Sequence, residues 1–368
     1  MERAPIIEKT TGVQPSRPFY LGDGIAHLLA DHIRPHEFDD IFLVTGEGVR
    51  SLVAERLARE LFEADIPVTV LTVAEGEQNK SWSQLTDLCE RLVHAGATKN
   101  SIVLALGGGM VSNLTGLAAG LLYRGVRYID IPTTMLSLTD GTLSNKQAIN
   151  GAYGKNQFGL YSAPLFVWAD VAYLRSEPAR QWKSGLVEAL KNGLIDDASW
   201  FERLGDLLTP DLGLVRENLL EVCRDIIASK HRILASDPSE RDRAVILEYG
   251  HTVGHAVEFL SAGIPHGEAV GIGMCAAARV GHQLGITPAD VLERQEWVLG
   301  ERLGNPTTIP AACAPDRIFE VIRTDNKRRS SEETQLILLD RVGTVHNSTG
   351  TYETPVPESV LKAVLQDS

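Results

Sequence analysis

Residues 101–106 read Ser-Ile-Val-Leu-Ala-Leu, apolar throughout after the first position. A strand with one wet face alternates apolar and polar side chains. An unbroken apolar run of strand length instead suits a sheet covered on both faces. The run ends in Gly107-Gly108-Gly109 and leads into a small-residue helical stretch over 114–122. The same alternation runs through the first half of the chain. Strands are predicted at 41–44, 67–73, 128–131 and 165–168, with helices over about 49–62 and 82–94. Strands alternating with helices predict a parallel sheet covered on both faces.

After Pro178 the texture changes, and helical periods dominate at 186–195, 214–234, 253–259, 270–283 and 289–303. A chain of 368 residues is long enough for about two domains. The expected fold is therefore α/β: a Rossmann-like parallel-sheet domain over 1–177 and a mainly helical domain over 178–368. The apolar share (43%) and charged share (23%) are those of a soluble globular protein. No apolar run is long enough to cross a bilayer. The start, Met-Glu-Arg-Ala-Pro, has no apolar core, so no signal peptide is expected. Cys89, Cys223, Cys275 and Cys313 form no pair at metal or redox spacing. They are expected to be buried thiols in a reducing compartment, the cytoplasm. A net charge of −13 excludes wholesale nucleic-acid binding. An anionic small substrate would need a local cluster of Lys and Arg.

The densest chemistry lies in Gly250-His251-Thr252-Val253-Gly254-His255-Ala256-Val257-Glu258. Histidines four apart share one face of a helix. His266, just past the expected helix end near Gly263-Ile264-Pro265, can fold back toward them. Neutral imidazoles suit zinc and neighbouring divalent ions. The spacing is that of a zincin protease, but Thr252 stands where the catalytic Glu belongs. Plain helix-surface histidines are the alternative. Glu188 and Lys191 sit one turn apart in Gly185-Leu186-Val187-Glu188-Ala189-Leu190-Lys191. An i, i+3 ion pair accounts for them. Yet a carboxylate in so apolar a stretch is costly to bury unless paired or bound to a metal. It could complete a Glu-His-His site with one position open for substrate oxygens.

Three further segments could face a ligand. Gly107-Gly108-Gly109 is either a tight turn or a place where a pyrophosphate approaches backbone and helix N-terminus. Glu75-Gly76-Glu77-Gln78-Asn79-Lys80 follows the preceding strand, so it is either a solvated loop or part of the same ligand-binding sheet edge. Asp140 to Asn156 is expected to be a polar loop carrying Lys146, Asn150, Lys155 and Asn156, with Arg124 and Arg127 ahead of it. Such donors make a phosphate pocket or simply a solvated loop.

Taken together, these motifs resemble the sugar phosphate cyclases of the 3-dehydroquinate synthase superfamily. The motifs are Glu77-Gln78-Asn79-Lys80, Gly107-Gly108-Gly109, Arg124-Gly125-Val126, Pro132-Thr133-Thr134, Gly154-Lys155-Asn156, Glu188-Ala189-Leu190-Lys191 and Gly250-His251-Thr252-Val253-Gly254-His255. The chain is most similar to the 2-deoxy-scyllo-inosose synthase branch, through Ser144 to Asn150, Leu247 to His251, Asp325 to Arg328, and Asn113. The resemblance implies catalytic use of a bound NAD and a divalent metal, zinc or cobalt, held by Glu188, His251 and His266. It implies NAD contacts from Glu77, Lys80, Gly107, Gly108, Gly109, Asn113, Thr133, Thr134, Asp140 and Lys155. It places Lys146, Asn156, Lys230, Glu248, His255 and Lys327 around the substrate, with Lys146, His255, Lys230, Glu248 and Asp140 as catalytic candidates. Arg124 matches a residue that reaches the phosphate from a neighbouring subunit, which implies a homodimer.

The implied reaction converts glucose 6-phosphate to 2-deoxy-scyllo-inosose with loss of phosphate, a step of aminocyclitol antibiotic biosynthesis. The alternatives are a 3-dehydroquinate synthase, another cyclase of the superfamily, or an alcohol dehydrogenase of the glycerol dehydrogenase type. Two departures bear on this. Dehydroquinate synthases grip a substrate carboxylate with an Arg seven residues before the first histidine; here that residue is Ala244, and Glu248 replaces a nearby Asn. Arg241 or Arg243 could substitute. Gly46 replaces an Asp that binds the NAD ribose, and Glu47 is the expected stand-in.

Overall fold

The computed structural model describes residues 6–10, 17–152, 154–237, 242–261, 263–323, 334–347 and 350–366. Lys327, with the rest of 324–333, and Arg241 lie outside the described residues. The chain divides into two compact units, Met1–Glu177 and Pro178–Ser368.

Among the described residues, the first unit is built on nine strands: β1 (Ile6–Thr10), β2 (Arg17–Gly22), β3 (Ile41–Gly46), β4 (Val68–Val73), β5 (Ile102–Gly107), β6 (Arg127–Pro132), β7 (Lys146–Gly151), β8 (Gly154–Tyr161) and β9 (Val167–Asp170). Seven of them form one sheet in the order β1-β2-β9-β6-β5-β3-β4. All its pairings are parallel except β1 with β2. The apolar run of β5 is buried along its whole length. Ile102, Leu104 and Leu106 enter one core with Leu43, Leu57 and Trp168. Val103 and Ala105 enter the other with Phe42, Leu88 and Leu117. That two-faced burial is why the run contains no polar alternation. From β3 the chain steps outward to β4, then crosses back to β5 on the other side of β3. The carboxyl ends of β3 and β5 therefore flank the point where strand order reverses, the crevice in which open α/β sheets bind ligands.

The expected loop over 140–156 is largely a hairpin. Strands β7 and β8 pair antiparallel, with Lys146 opposite Tyr161 and Ile149 opposite Phe158. Gln147, Ala148 and Ile149 are buried. The helix Gly109–Leu121 holds β7, with the Asn113 Oδ1 accepting from the Ala148 amide at 3.2 Å. Tertiary packing of three residues thus overrides a locally polar sequence.

In the second unit, Ala179–Asp196 is a helix buried all round from Ser184 to Ile195. It is followed by Leu219–Ser236, His251–Leu260, His266–Gln283 and Ala289–Trp297. The single helix expected over 214–234 is broken at Asn218, between Gly213–Glu217 and Leu219–Ser236, where the backbone leaves helical values (φ −110°, ψ 26°). His266 opens a helix rather than trailing one. Two short antiparallel pairs, Thr334–Ile337 with Glu353–Val356 and Leu339–Arg341 with Thr344–Val345, add strand structure that helical periodicity did not signal. No helix among the described residues is long and apolar enough to cross a membrane.

Candidate metal and cofactor sites

Glu188, His251 and His266 converge in the second unit, each offering a ligand atom within 4.8 Å of the others. Three helices bring them there. Gly250 has φ +79°, and a Cβ on it would lie 2.4 Å from Met274 Cγ and 2.7 Å from the Met274 amide nitrogen. Only glycine fits both the left-handed turn and the close approach. That turn makes His251 the first residue of its helix. At Gly267 a Cβ would fall 1.9 Å from the Ser184 carbonyl oxygen. The missing side chain lets the start of the His266 helix press onto the Glu188 helix. The Gly267 amide there donates to Ser184 Oγ at 2.8 Å.

The orientation of the rings follows from their partners. His251 Nδ1 is 3.2 Å from the Tyr249 carbonyl oxygen, which can only accept, so the proton sits on Nδ1. Nε2 then faces Glu188 Oε1 at 3.6 Å. His266 repeats the arrangement, with Nδ1 3.1 Å from Glu258 Oε2 and Nε2 3.6 Å from Glu188 Oε1. Those separations are too long for hydrogen bonds. They match the edge of a tetrahedron whose ligands stand about 2.0–2.1 Å from one ion, roughly 3.4 Å. Glu188 is 2% exposed, and its Oε1 has no hydrogen-bond partner. A buried carboxylate oxygen without a donor, facing two imidazole nitrogens, fits a divalent cation. Two nitrogens and a carboxylate oxygen are the donor set zinc and cobalt accept.

The charges agree. Burial by itself would raise the Glu188 carboxyl, but Lys191, His251 and His266 outweigh it and hold it well below the usual range. Lys191 Nζ donates to Glu188 Oε2. Burial would lower His266, but the neighbouring carboxylates of Glu188 and Glu258 push it up to about 9. His255 completes a ring cluster, its centroid 5.2 Å from His251 and 5.9 Å from His266. Lys230 is buried on a helix packed against the Glu188 helix, with Asn192 Nδ2 3.5 Å from Ser229 Oγ. Glu248 ends the short 3-10 turn that precedes Gly250 and is half-buried. Ala244 is buried, its amide donating to Asp237 Oδ2 at 2.9 Å. Arg243 is paired with Asp196.

In the first unit, the 77–80 segment and the β7–β8 hairpin are knitted together. Asn150 Nδ2 donates to Glu77 Oε1 at 2.9 Å, and the Asn150 amide donates to the Lys80 carbonyl at 2.8 Å. Lys155 Nζ lies 3.7 Å from Glu77 Oε1. Buried Lys80 donates to Asn156 Oδ1. The glycine turn is tied to the neighbouring strand end, since the Thr133 amide donates to the Gly107 carbonyl at 3.0 Å. Gly108 precedes the helix Gly109–Leu121 and packs near Thr134. Asp140 ends the helix Met135–Thr139, and Lys146 is exposed at the start of β7. Arg124 is exposed on a left-handed backbone (φ +66°) just past the helix Gly109–Leu121. Glu47 is exposed beside Gly46. The carboxylate that fills the space above Gly46 belongs to Glu75. Its Oε1 would be 2.2 Å from a Cβ at position 46, and it accepts the Gly48 amide at 3.0 Å.

Residues 70–184 match the 3-dehydroquinate synthase N-terminal family, and residues 185–328 match its C-terminal family. The 2-deoxy-scyllo-inosose synthase of Streptomyces kanamyceticus is 38% identical over 88% of this chain and 84% of its own length. That of Niallia circulans is 34% identical over 95% of this chain and 96% of its own. The chain belongs to the 2-deoxy-scyllo-inosose synthase family, within the 3-dehydroquinate synthase superfamily. A solved 2-deoxy-scyllo-inosose synthase, complexed with carbaglucose-6-phosphate, NAD+ and Co2+, superposes with a TM-score of 0.91. It is 33% identical and covers 99% of this chain and all of its own.

Set in this inosose synthase family, the structure adds groups that sequence reading left without a role. Tyr249 and Glu258 hold the two imidazoles through Nδ1. Glu258 was visible as a glutamate three residues after His255, a spacing common to any amphipathic helix. Tyr249 acts through its carbonyl, for which side-chain identity carries no signal. Glu75 approaches Gly46 from the segment just past β4, whose last residue, Val73, is the register partner of Gly46.

Proposed function

We propose that this chain converts glucose 6-phosphate to 2-deoxy-scyllo-inosose with release of phosphate, using one bound NAD and one divalent metal, zinc or cobalt. Atoms balance without net oxidation: the sugar phosphate loses phosphoric acid and closes a carbon ring. Bound NAD would supply a reversible hydride acceptor, and the metal a Lewis acid for ring hydroxyls. Glu188, His251 and His266 would hold the metal. Gly107 to Gly109, Thr133, Thr134, Asn113, Glu77, Lys80, Asp140 and Lys155 would hold NAD at the sheet's reversal point. We assign the acidic ribose contact to Glu75, which occupies the space above Gly46, in preference to Glu47.

Lys146, Asn156, Lys230, Glu248 and His255 would bind and orient the sugar phosphate. Ammonium and amide donors suit the phosphate, and Glu248 can accept from hydroxyls. Lys146, Lys230 and His255, with Asp140 orienting, are the candidates for moving or holding protons. Arg124 would reach the phosphate of a second copy in a homodimer. Lys327, from the undescribed segment, would join the phosphate contacts. The enzyme would work in the cytoplasm, supplying a ketocyclitol for amination in aminocyclitol biosynthesis.

The observation that carries this reading is the Glu188–His251–His266 cluster with its donor-less carboxylate oxygen, in a chain of this family. Substrate choice is supported by position 244: a buried alanine offers no grip for a carboxylate, and Arg243 is already engaged by Asp196. The test is product identification after incubation with glucose 6-phosphate, NAD and cobalt. We expect one phosphate per carbocycle and no net NADH. Phosphate release only from the seven-carbon keto acid phosphate of dehydroquinate synthases would overturn it.

A further inference from the structure

The two candidate imidazole ligands are held unequally. His251 leans on a backbone carbonyl, which cannot be substituted and carries no charge. His266 leans on the Glu258 carboxylate, 3.1 Å from Nδ1 and with a side chain only 11% exposed. Glu258 is on the helix His251–Leu260, and His266 begins the next one. Their contact therefore bridges the turn that joins the two helices. It also fixes the ring plane, because Nε2 is left toward Glu188 at 3.6 Å when Nδ1 is bound. His266 is the more exposed of the two rings, its side chain 29% accessible against 9% for His251. Without a partner it would have rotamer freedom that buried His251 lacks.

We infer that Glu258 is a positioning residue for the metal centre: its carboxylate selects the Nε2-ligating tautomer of His266 and fixes the ring toward Glu188. A carboxylate behind a metal-bound imidazole orients the ring and makes it a stronger donor, and such partners are commonly worth 10–100-fold in metal affinity. The inference rests on the metal reading above, so its test separates the two.

Cobalt affinity of the full-length protein is measured by chelator competition for the wild type, Glu258→Ala, Glu258→Gln and His266→Ala, with NAD affinity and metal-free unfolding temperature recorded alongside. We expect Glu258→Ala to bind cobalt about 10–100-fold more weakly. Glu258→Gln keeps an acceptor for Nδ1–H but not the charge, so it should fall between. NAD affinity should be unchanged in both, and the cobalt absorption spectrum of the loaded Ala variant should shift as ring geometry loosens. A merely structural glutamate would lower the unfolding temperature without a graded, metal-specific loss, and that result overturns the inference. If Glu258→Ala fails to fold, the near-isosteric Gln variant carries the test. Wild-type cobalt affinity in the Glu258 variants, with binding lost in His266→Ala, sinks the positioning role alone. Cobalt retained in His266→Ala sinks the metal reading beneath it.

Discussion

Lys191 and Glu188 stand one turn apart on a buried helix, and the ammonium takes only one of the two carboxylate oxygens, Oε2. Oε1 is left to face His251 and His266. The pair thus neutralises a buried charge while leaving a ligand atom available. Removing one partner of a buried ion pair strands the other and costs about 3–5 kcal/mol. Lys191→Met should lose stability on that scale in chelator-treated protein. The loss should be smaller with cobalt present, because the cation supplies positive charge to the same carboxylate. Urea unfolding with and without chelator checks this; equal losses in both would show that no cation reaches Glu188.

Stability of the metal-free protein should depend on the His266 proton. Its folded value, about 9, lies above the ordinary 6.5. A group raised on folding stabilises below its unfolded value and loses that contribution as pH rises through the folded one. The unfolding temperature of metal-free protein should therefore decline from pH 6.5 to 9, beyond any trend in a His266→Ala control. Cobalt must displace the same proton, so its apparent affinity should strengthen over that range. Calorimetry in buffers of different ionisation enthalpy measures the release; binding without proton release would remove His266 as a ligand.

Gly250→Ala should disturb both fold and centre. The left-handed backbone by itself costs about 1–2 kcal/mol in an L-residue, and the new Cβ would meet the Met274 backbone. Relief requires moving the start of the His251 helix. Cobalt affinity should fall with stability, as chelator competition and thermal unfolding would report. A stable variant with wild-type affinity would mean the turn does not set His251.

Lys146 is exposed on β7, so Lys146→Ala should leave the fold intact. Phosphate release from glucose 6-phosphate should drop by about 10²–10³, the usual cost of one lost charge-stabilising donor. Cobalt and NAD binding should persist. An unchanged rate would take Lys146 out of the substrate site.

Glu75 and Glu47 make opposite predictions about NAD. Glu75→Gln should weaken NAD binding by about 10–100-fold, the range for a hydrogen bond to a charged group, while Glu47→Gln should bind as the wild type. Titration calorimetry of each variant decides between them; the reverse order would return the ribose contact to Glu47.

Much of this molecule is legible in one dimension, for a physical reason. Burial on both faces forces the apolar run of β5. Helical periodicity brings His251 and His255 to one side of a helix. These are local consequences of backbone geometry and solvent exclusion, and they appear wherever the chemistry is read residue by residue. The polar tract 140–156 misleads for the complementary reason. Its hairpin is held by an upstream helix, through Asn113, 35 residues before Ala148, and no local pattern reports that support.

By itself, the sequence determined the alternation of the parallel strands and helices, the α/β-to-helical change near Pro178, and which residue types could ligate a metal or phosphate. Only the tertiary structure decided which of them meet. Glu188 is more than sixty positions from His251, and their approach depends on glycines that let three helices close to backbone contact. The Nδ1 partners, Tyr249 and Glu258, and the filling of the space above Gly46 by Glu75 depend on the same close packing. Distances between side chains are set by how whole elements pack, and packing is a property of the collapsed chain rather than of any stretch of it.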